Sequence, residues 1–152
     1  MKICVLGTGS WGTALAQVLA DNKQEVIMWG IDSREVEDIE VNHHNTKFFE
    51  TEINHDIHAS TDLSVVANAD VVLAAVPTIA LEEVLTKASQ HLTKPAIIIN
   101  VAKGFHPVTH ERLSVVISKI VPTEKCAAIV SLIGPSHAEE VIQRLMTSVN
   151  AV

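Results

Sequence analysis

Six consecutive residues, Gly7-Thr8-Gly9-Ser10-Trp11-Gly12, carry three glycines at a spacing that suits a backbone cradle for a diphosphate. They follow the aliphatic run Ile3 to Leu6 and open a segment of helical period. In that setting each glycine has a separate task. Gly7 permits a tight turn, Gly9 lets the main chain approach a pyrophosphate with no Cβ in the way, and Gly12 lets the helix lie close to the strand. The free N–H groups and positive dipole end of the helix then face the phosphates. Alone the pattern is a common glycine-rich turn; the strand–turn–helix context gives it weight. A carboxylate near the end of the second strand should accept from a ribose diol, and Asp32 lies twenty residues after Gly12. Asp32 equally suits the cap of the next helix, and the two roles are compatible.

Two further polar clusters follow aliphatic runs, and ligands of open α/β sheets gather beyond the carboxyl ends of strands. Lys103-Gly104 comes just after Ala96–Val101, where a lysine can polarise a carbonyl or bind a phosphate as a point charge. A solvated surface lysine is the plainer reading, against which stands the constrained backbone that Gly104 implies. Gly134-Pro135-Ser136 comes just after Cys126–Ile133, with Ser136 read as a helix N-cap and Glu139 at capping-box spacing. Histidines gather at His43, His44, His55 and His58, but no cysteine or paired carboxylate completes a ligand set, so no metal is expected. His110-Glu111 lacks the remainder of a zinc-protease pattern, and neither a nucleophile elbow nor a P-loop is present.

The elements that must position these groups alternate. Strands are expected at 3–6, 25–29, 57–59, 71–76, 96–101 and 126–133, with another beginning within 147–152. Helices are expected at 11–22, 33–43, 62–67, 80–91, 111–120 and from Ser136. The first helix should bury Ala14, Leu15, Val18 and Leu19. Asp32 with Glu35 should form a capping box, and residues 44 to 56 lack any period and read as loop. This alternation, without hairpin turns, predicts an α/β fold with a doubly wound, mainly parallel sheet of the Rossmann type, in one domain over 1–152.

Composition agrees. Hydrophobic residues make up 47% of the 152 while aromatics supply only 3%, which suits aliphatic strands buried on both faces. A formal charge of −7 and a pI near 5.5 disfavour nucleic acid and anionic membranes as partners, so an anionic ligand must be held by local donors. No secretory leader or membrane span is read at the N-terminus, Cys4 and Cys126 are expected as reduced core residues, and a cytoplasmic location follows.

Taken together, Gly7-Thr8-Gly9-Ser10-Trp11-Gly12-Thr13-Ala14-Leu15-Ala16, Val76-Pro77, Lys103-Gly104 and Gly134-Pro135-Ser136-His137-Ala138-Glu139-Glu140 resemble bacterial NAD(P)-dependent glycerol-3-phosphate dehydrogenase, in order and approximate spacing. Trp29-Gly30 matches that family's second strand. The resemblance covers essentially the whole chain. It implies NAD or NADP as cofactor, with contacts at Ser10, Trp11, Lys103 and Ala138. It implies dihydroxyacetone phosphate and sn-glycerol 3-phosphate as substrates, contacted by Lys103, Gly134 and Ser136, in a reaction feeding phospholipid synthesis. It also implies a helical second domain beyond Val152 that holds the catalytic lysine, so this chain alone is expected to bind nucleotide without turnover. A homodimer is compatible with the resemblance, and no residue specifies it.

The chain departs from the family at two places. Ile31 stands where a basic residue commonly pairs with the 2′-phosphate of NADP, which favours Asp32 with NAD, although Arg34 is close enough to substitute. His137 stands where phenylalanine is common, and nothing in the sequence accounts for it. Two rival readings remain open at this point: another dehydrogenase with the same first domain, of hydroxyacyl-CoA or 6-phosphogluconate type, or a non-catalytic NAD(H) sensor.

Overall fold

A computed structural model describes residues 1–152. Strands β1 (Lys2–Leu6), β2 (Glu25–Trp29), β3 (Ile57–Ser60), β4 (Val71–Ala74), β5 (Ala96–Asn100), β6 (Cys126–Ile133) and β7 (Asn150–Ala151) form one sheet in the order β3-β2-β1-β4-β5-β6-β7. All neighbours are parallel except β6 and β7. The helices are α1 (Ser10–Asp21), α2 (Ser33–Glu37), α3 (Thr78–His91), α4 (Leu113–Ile120) and α5 (Ala138–Ile142). The chain runs outward from β1 to β3, returns across β1 to β4, and then runs outward the other way. That reversal opens a crevice between β1 and β4, the place where such sheets bind ligands.

Side chains alternate across the sheet because successive Cβ atoms point to opposite faces. Cys4 and Leu6 pack with Leu81 and Leu85 of α3 and Ile117 of α4, whereas Ile3 and Val5 pack with Ala14, Ala16 and Ala20 of α1 and Ile142 of α5. The register aligns Leu6 with Trp29 and with Ala74, and Ala74 with Asn100. The turns after β1, β2, β4 and β5 therefore leave the sheet at one edge, which brings the residues of four separate segments together.

Several expectations need correction. Helix α1 buries Gly12, Thr13, Ala14, Ala16, Gln17 and Ala20, while Leu15 and Leu19 lie partly covered and Val18 is exposed. Apart from Gln17, which is held by Asp21 and the Asn54 N–H, the inward residues are small, as close packing of helix on sheet requires. The segment 33–43 is not one regular α-helix: α2 ends at Glu37 and a π-helical turn, Asp38–Asn42, follows. Residues 62–67 form only a short 3₁₀ turn, Leu63–Val66, capped by Asp62. Strand β4 stops at Ala74, so Ala75 and Val76 lead out of the sheet toward Pro77. Cys4 is a core residue whose thiol burial pushes up to about 12, but Cys126 is only partly buried on the flank of β6. Both cysteines are unpaired.

The loop over residues 44–56 is irregular, as expected, yet it is firmly fastened. Asn45 is buried and donates from Nδ2 to the Thr8 carbonyl at 2.8 Å and to Thr13 Oγ1 at 2.9 Å. Phe49 and Ile53 enter the core under α1. Asp21, at the end of α1, collects Gln17 Nε2 at 2.9 Å, Asn54 Nδ2 at 3.0 Å and Arg144 Nε at 2.8 Å. Burial works against the Asp21 charge, but the hydrogen bonds from Arg144, Asn54 and Gln17 outweigh it and hold the carboxyl below its ordinary range. Its folded pKa lies below the unfolded one, so the stabilisation is present above about pH 4 and fades as pH falls through the folded value. We expect Asp21→Asn to cost about 1 kcal/mol at neutral pH. Thermal melts of the two proteins should converge as pH falls below about 4; a gap independent of pH would refute the charge-based account.

Candidate functional site

The crevice at the strand ends opens into a cleft of about 880 Å³, a size typical of a small-molecule or cofactor site. Its lining comes from the turn after β1 (Gly7 to Trp11), the end of β2 with α2 (Asp32, Glu35), the loop residues Lys47 and Phe48, the turn after β4 (Ala75 to Thr78) and the turn after β5 (Val101 to Lys103). Ser136, His137, Ala138 and Glu139 close its far side.

The glycine turn behaves as its spacing predicts. Gly7 has φ of 116°, and a Cβ there would stand 2.6 Å from the Ala75 carbonyl oxygen. A Cβ on Gly12 would stand 2.7 Å from the Gly7 carbonyl oxygen, so this glycine sets the distance between α1 and β1 from behind the cleft. A Cβ on Gly9 would meet no atom within 4 Å; it would occupy the open space of the cleft itself. Two glycines are therefore demanded by the protein's own packing, and the third leaves a gap that the protein does not fill. That gap, at the first turn of a twelve-residue helix, fits an anionic diphosphate.

Asp32 caps α2, accepting from the Arg34 N–H at 2.9 Å, and its carboxylate also holds the Arg34 guanidinium through Nη2 at 2.9 Å. The Arg34 guanidinium and backbone N–H bring the Asp32 carboxyl down to about 2. The expected reciprocal capping box is absent. Glu35 turns instead into the cleft, where it accepts from Thr8 Oγ1 at 2.6 Å and pairs with Lys47. Burial opposes the Glu35 charge, but the hydrogen bonds from Lys47 and Thr8 outweigh it and keep the carboxyl low.

At the opposite end Lys103 Nζ donates to the Ser136 carbonyl at 3.1 Å, which joins two clusters that lie 33 residues apart in the chain. Gly104 has φ of 102°, in keeping with a constrained turn. The loop beyond it is held by His106, whose Nδ1 accepts from the Thr109 N–H at 3.1 Å while Nε2 lies 3.2 Å from Glu82 on α3. Ser136 is buried but is not the helix cap; α5 begins at Ala138, and His137 takes the cap position without a side-chain bond. The expected capping box with Glu139 does not form because Ser136 lies one residue too early. Gly134 does not line the cleft. A Cβ there would meet the Ser148 carbonyl oxygen at 2.8 Å, so packing against the segment leading to β7 explains that glycine.

Sequence reasoning missed Glu35, Lys47 and Phe48 as cleft residues, and Asn45 and His106 as the side chains that hold the neighbouring loops. Glu35 was masked by a plausible capping motif, and the others sit in aperiodic loops that give no pattern. The histidines of the 43–58 region bring no metal set together: His43 stacks on His55 with centroids 4.1 Å apart, and His55 pairs with Glu52.

A parallel sheet of this order, reversing at a glycine turn that opens onto a cleft, defines a Rossmann-type dinucleotide-binding domain. A family profile described as the N-terminus of NAD-dependent glycerol-3-phosphate dehydrogenase matches residues 2–152, and the chain belongs to that family. Glycerol-3-phosphate dehydrogenase [NAD(P)+] of Enterococcus faecalis is 45% identical over 152 residues, covering 99% of this chain and 45% of that protein. The enzyme of the same name from Lysinibacillus sphaericus is 41% identical over the same share of each. Among solved structures, glycerol-3-phosphate dehydrogenase from Coxiella burnetii superposes with a TM-score of 0.83 at 30% identity, covering 99% of this chain and 46% of that one. The chain thus spans about half the length of the relatives it matches. No helix is long and apolar enough to cross a membrane.

Proposed function

We propose that this chain is the coenzyme-binding part of an enzyme that interconverts dihydroxyacetone phosphate and sn-glycerol 3-phosphate with NAD(P)H, a cytoplasmic step supplying phospholipid synthesis. The observation that carries the reading is the Gly9 gap at the head of α1, in a cleft that continues to a cation, Lys103, at its other end. When bound, a nicotinamide coenzyme would supply the hydride. The chain's own residues do the holding and orienting. Backbone N–H groups at Ser10 and Trp11 take the diphosphate, Asp32 accepts from the adenosine ribose, and Ala138 borders the nicotinamide side. Lys103, steadied by the Ser136 carbonyl, draws the substrate's carbonyl or phosphate oxygen toward the cleft and offsets negative charge there. Gly134 supports that side from behind by letting β6 turn past Ser148. A lysine of the second, helical domain belonging to this reading supplies the proton.

Calorimetric titration of the folded chain with NADH is the direct test, with micromolar to submillimolar uptake expected. Absence of uptake of either NADH or NADPH at millimolar concentration would remove the reading. The reaction is tested by joining residues 1–152 to the remaining part of the Enterococcus faecalis relative and following NADH oxidation with dihydroxyacetone phosphate. Comparison with a hydroxyacyl-CoA and with a 6-phosphogluconate substrate separates the rival dehydrogenases.

A further inference from the structure

We propose that Glu35, fixed between Thr8 and Lys47, is the residue by which this chain rejects a 2′-phosphorylated coenzyme and so prefers NAD(H). The inference rests on the dinucleotide reading above and adds to it the side chain that sets coenzyme preference.

The end of the cleft formed by β2 and α2 holds two carboxylates, Asp32 and Glu35, and one cation, Lys47; a second cation, Arg34, stands in an adjoining hollow that Glu37 and Asp38 also line. Each cation is already committed to one carboxylate: Arg34 to Asp32 through Nε and Nη2, and Lys47 to Glu35. A ribose diol needs an acceptor and finds one in Asp32. A 2′-phosphate dianion needs free cations, and here each available cation must first leave a carboxylate that would then repel the phosphate. The two pairs are not equivalent. The Arg34 side chain is 89% exposed, so its link to Asp32 is a solvated pair that opens at little cost. The Glu35 side chain is only 15% exposed, so its charge is screened far less and acts on a neighbouring anion more strongly.

Glu35 is also unable to swing aside freely. Thr8 donates to it at 2.6 Å, and Thr8 is itself wedged against Gly30, where an added Cβ would stand 2.5 Å from its methyl carbon. Lys47 grips the other oxygen from a loop tied to the glycine turn through Asn45. The carboxylate therefore stays inside the cleft, and discrimination arises from a repulsive group held in place.

The test is calorimetric titration of NADH and NADPH into the wild-type chain and into Glu35→Gln and Lys47→Met, each checked for folding by circular dichroism. Glutamine still offers Thr8 an acceptor, removes the negative charge and frees Lys47. The wild type is expected to bind NADH more tightly. Glu35→Gln is expected to narrow the NADH preference about tenfold, chiefly by tightening NADPH. Lys47→Met leaves the carboxylate uncompensated and is expected to leave the preference as wide or wider. If Glu35→Gln weakens both coenzymes alike, the bracket is only a structural tie and the inference falls. It falls too if both variants narrow the preference equally, or if the wild type prefers NADPH. A folded chain that takes up neither coenzyme removes the dinucleotide reading itself and this inference with it.

Discussion

Gly9→Val is expected to weaken NADH binding by about 100-fold or more, roughly 3 kcal/mol, while leaving stability within about 1 kcal/mol of the wild type. The separation of the two effects follows from geometry. Gly9 has φ of −69° and ψ of 176°, a conformation open to any residue, and an added Cβ meets no protein atom within 4 Å. The only space it takes is cleft space. Gly7→Val should do the reverse first. Its φ of 116° disfavours a β-branched residue, and the Cβ would stand 2.6 Å from a carbonyl oxygen that belongs to the turn after β4. We expect that variant to lose about 4 kcal/mol or to fail to fold, since strain and backbone overlap act together. Thermal melts with parallel NADH titrations check both. A Gly9→Val chain that keeps wild-type affinity would place the diphosphate elsewhere.

The second large effect is expected at Lys103. In a protein that joins this chain to a complete second half, Lys103→Met should lower kcat/KM for dihydroxyacetone phosphate by about 10²- to 10³-fold, on the order of 3–4 kcal/mol. The cation makes one bond within the chain, to the neutral Ser136 carbonyl at 3.1 Å, so no carboxylate in the chain quenches its charge. Removing it therefore takes away field at the substrate side and leaves no buried counter-charge behind. Lys103→Arg should recover only part of the activity, because a planar fork does not replace a compact ammonium at the same point. NADH affinity should change much less than turnover, and the split between the two distinguishes a substrate-side role from a general loosening of the cleft. Unchanged kcat/KM would return Lys103 to the surface lysines.

What was legible in the residues was the part governed by local rules. Aliphatic runs marked β1, β2, β3, β5 and β6 to within a residue or so; central β1 is aliphatic because a strand buried on both faces tolerates little else, whereas β6 keeps the pattern while only partly covered. The glycine turn was legible from local demands, the positive φ of Gly7 and the contact of Gly12 with the Gly7 carbonyl, although the tighter overlap at Gly7 is with Ala75 of the distant turn after β4. The face of α1 was not. Counting large apolar residues put Leu15, Val18 and Leu19 inward, whereas close helix–sheet approach selects glycine, alanine and threonine. Capping motifs misled twice. A carboxylate three residues into a helix closes a capping box only if nothing stronger reaches it, and Thr8 and Lys47 reach Glu35 first.

The sequence by itself determined the α/β alternation, the place of the glycine turn and the family, since these rest on short-range patterns and on motifs read in order. Only the tertiary structure decided which distant side chains meet. It brought Lys103 to Ser136 across 33 residues, Glu35 to Thr8 across 27 and Asn45 to Thr8 across 37. Such meetings are set by strand order and register, which align turns from separate segments along one edge of the sheet. No local window of the chain contains that information, because the free energy that fixes it is released only when both faces of the sheet are covered.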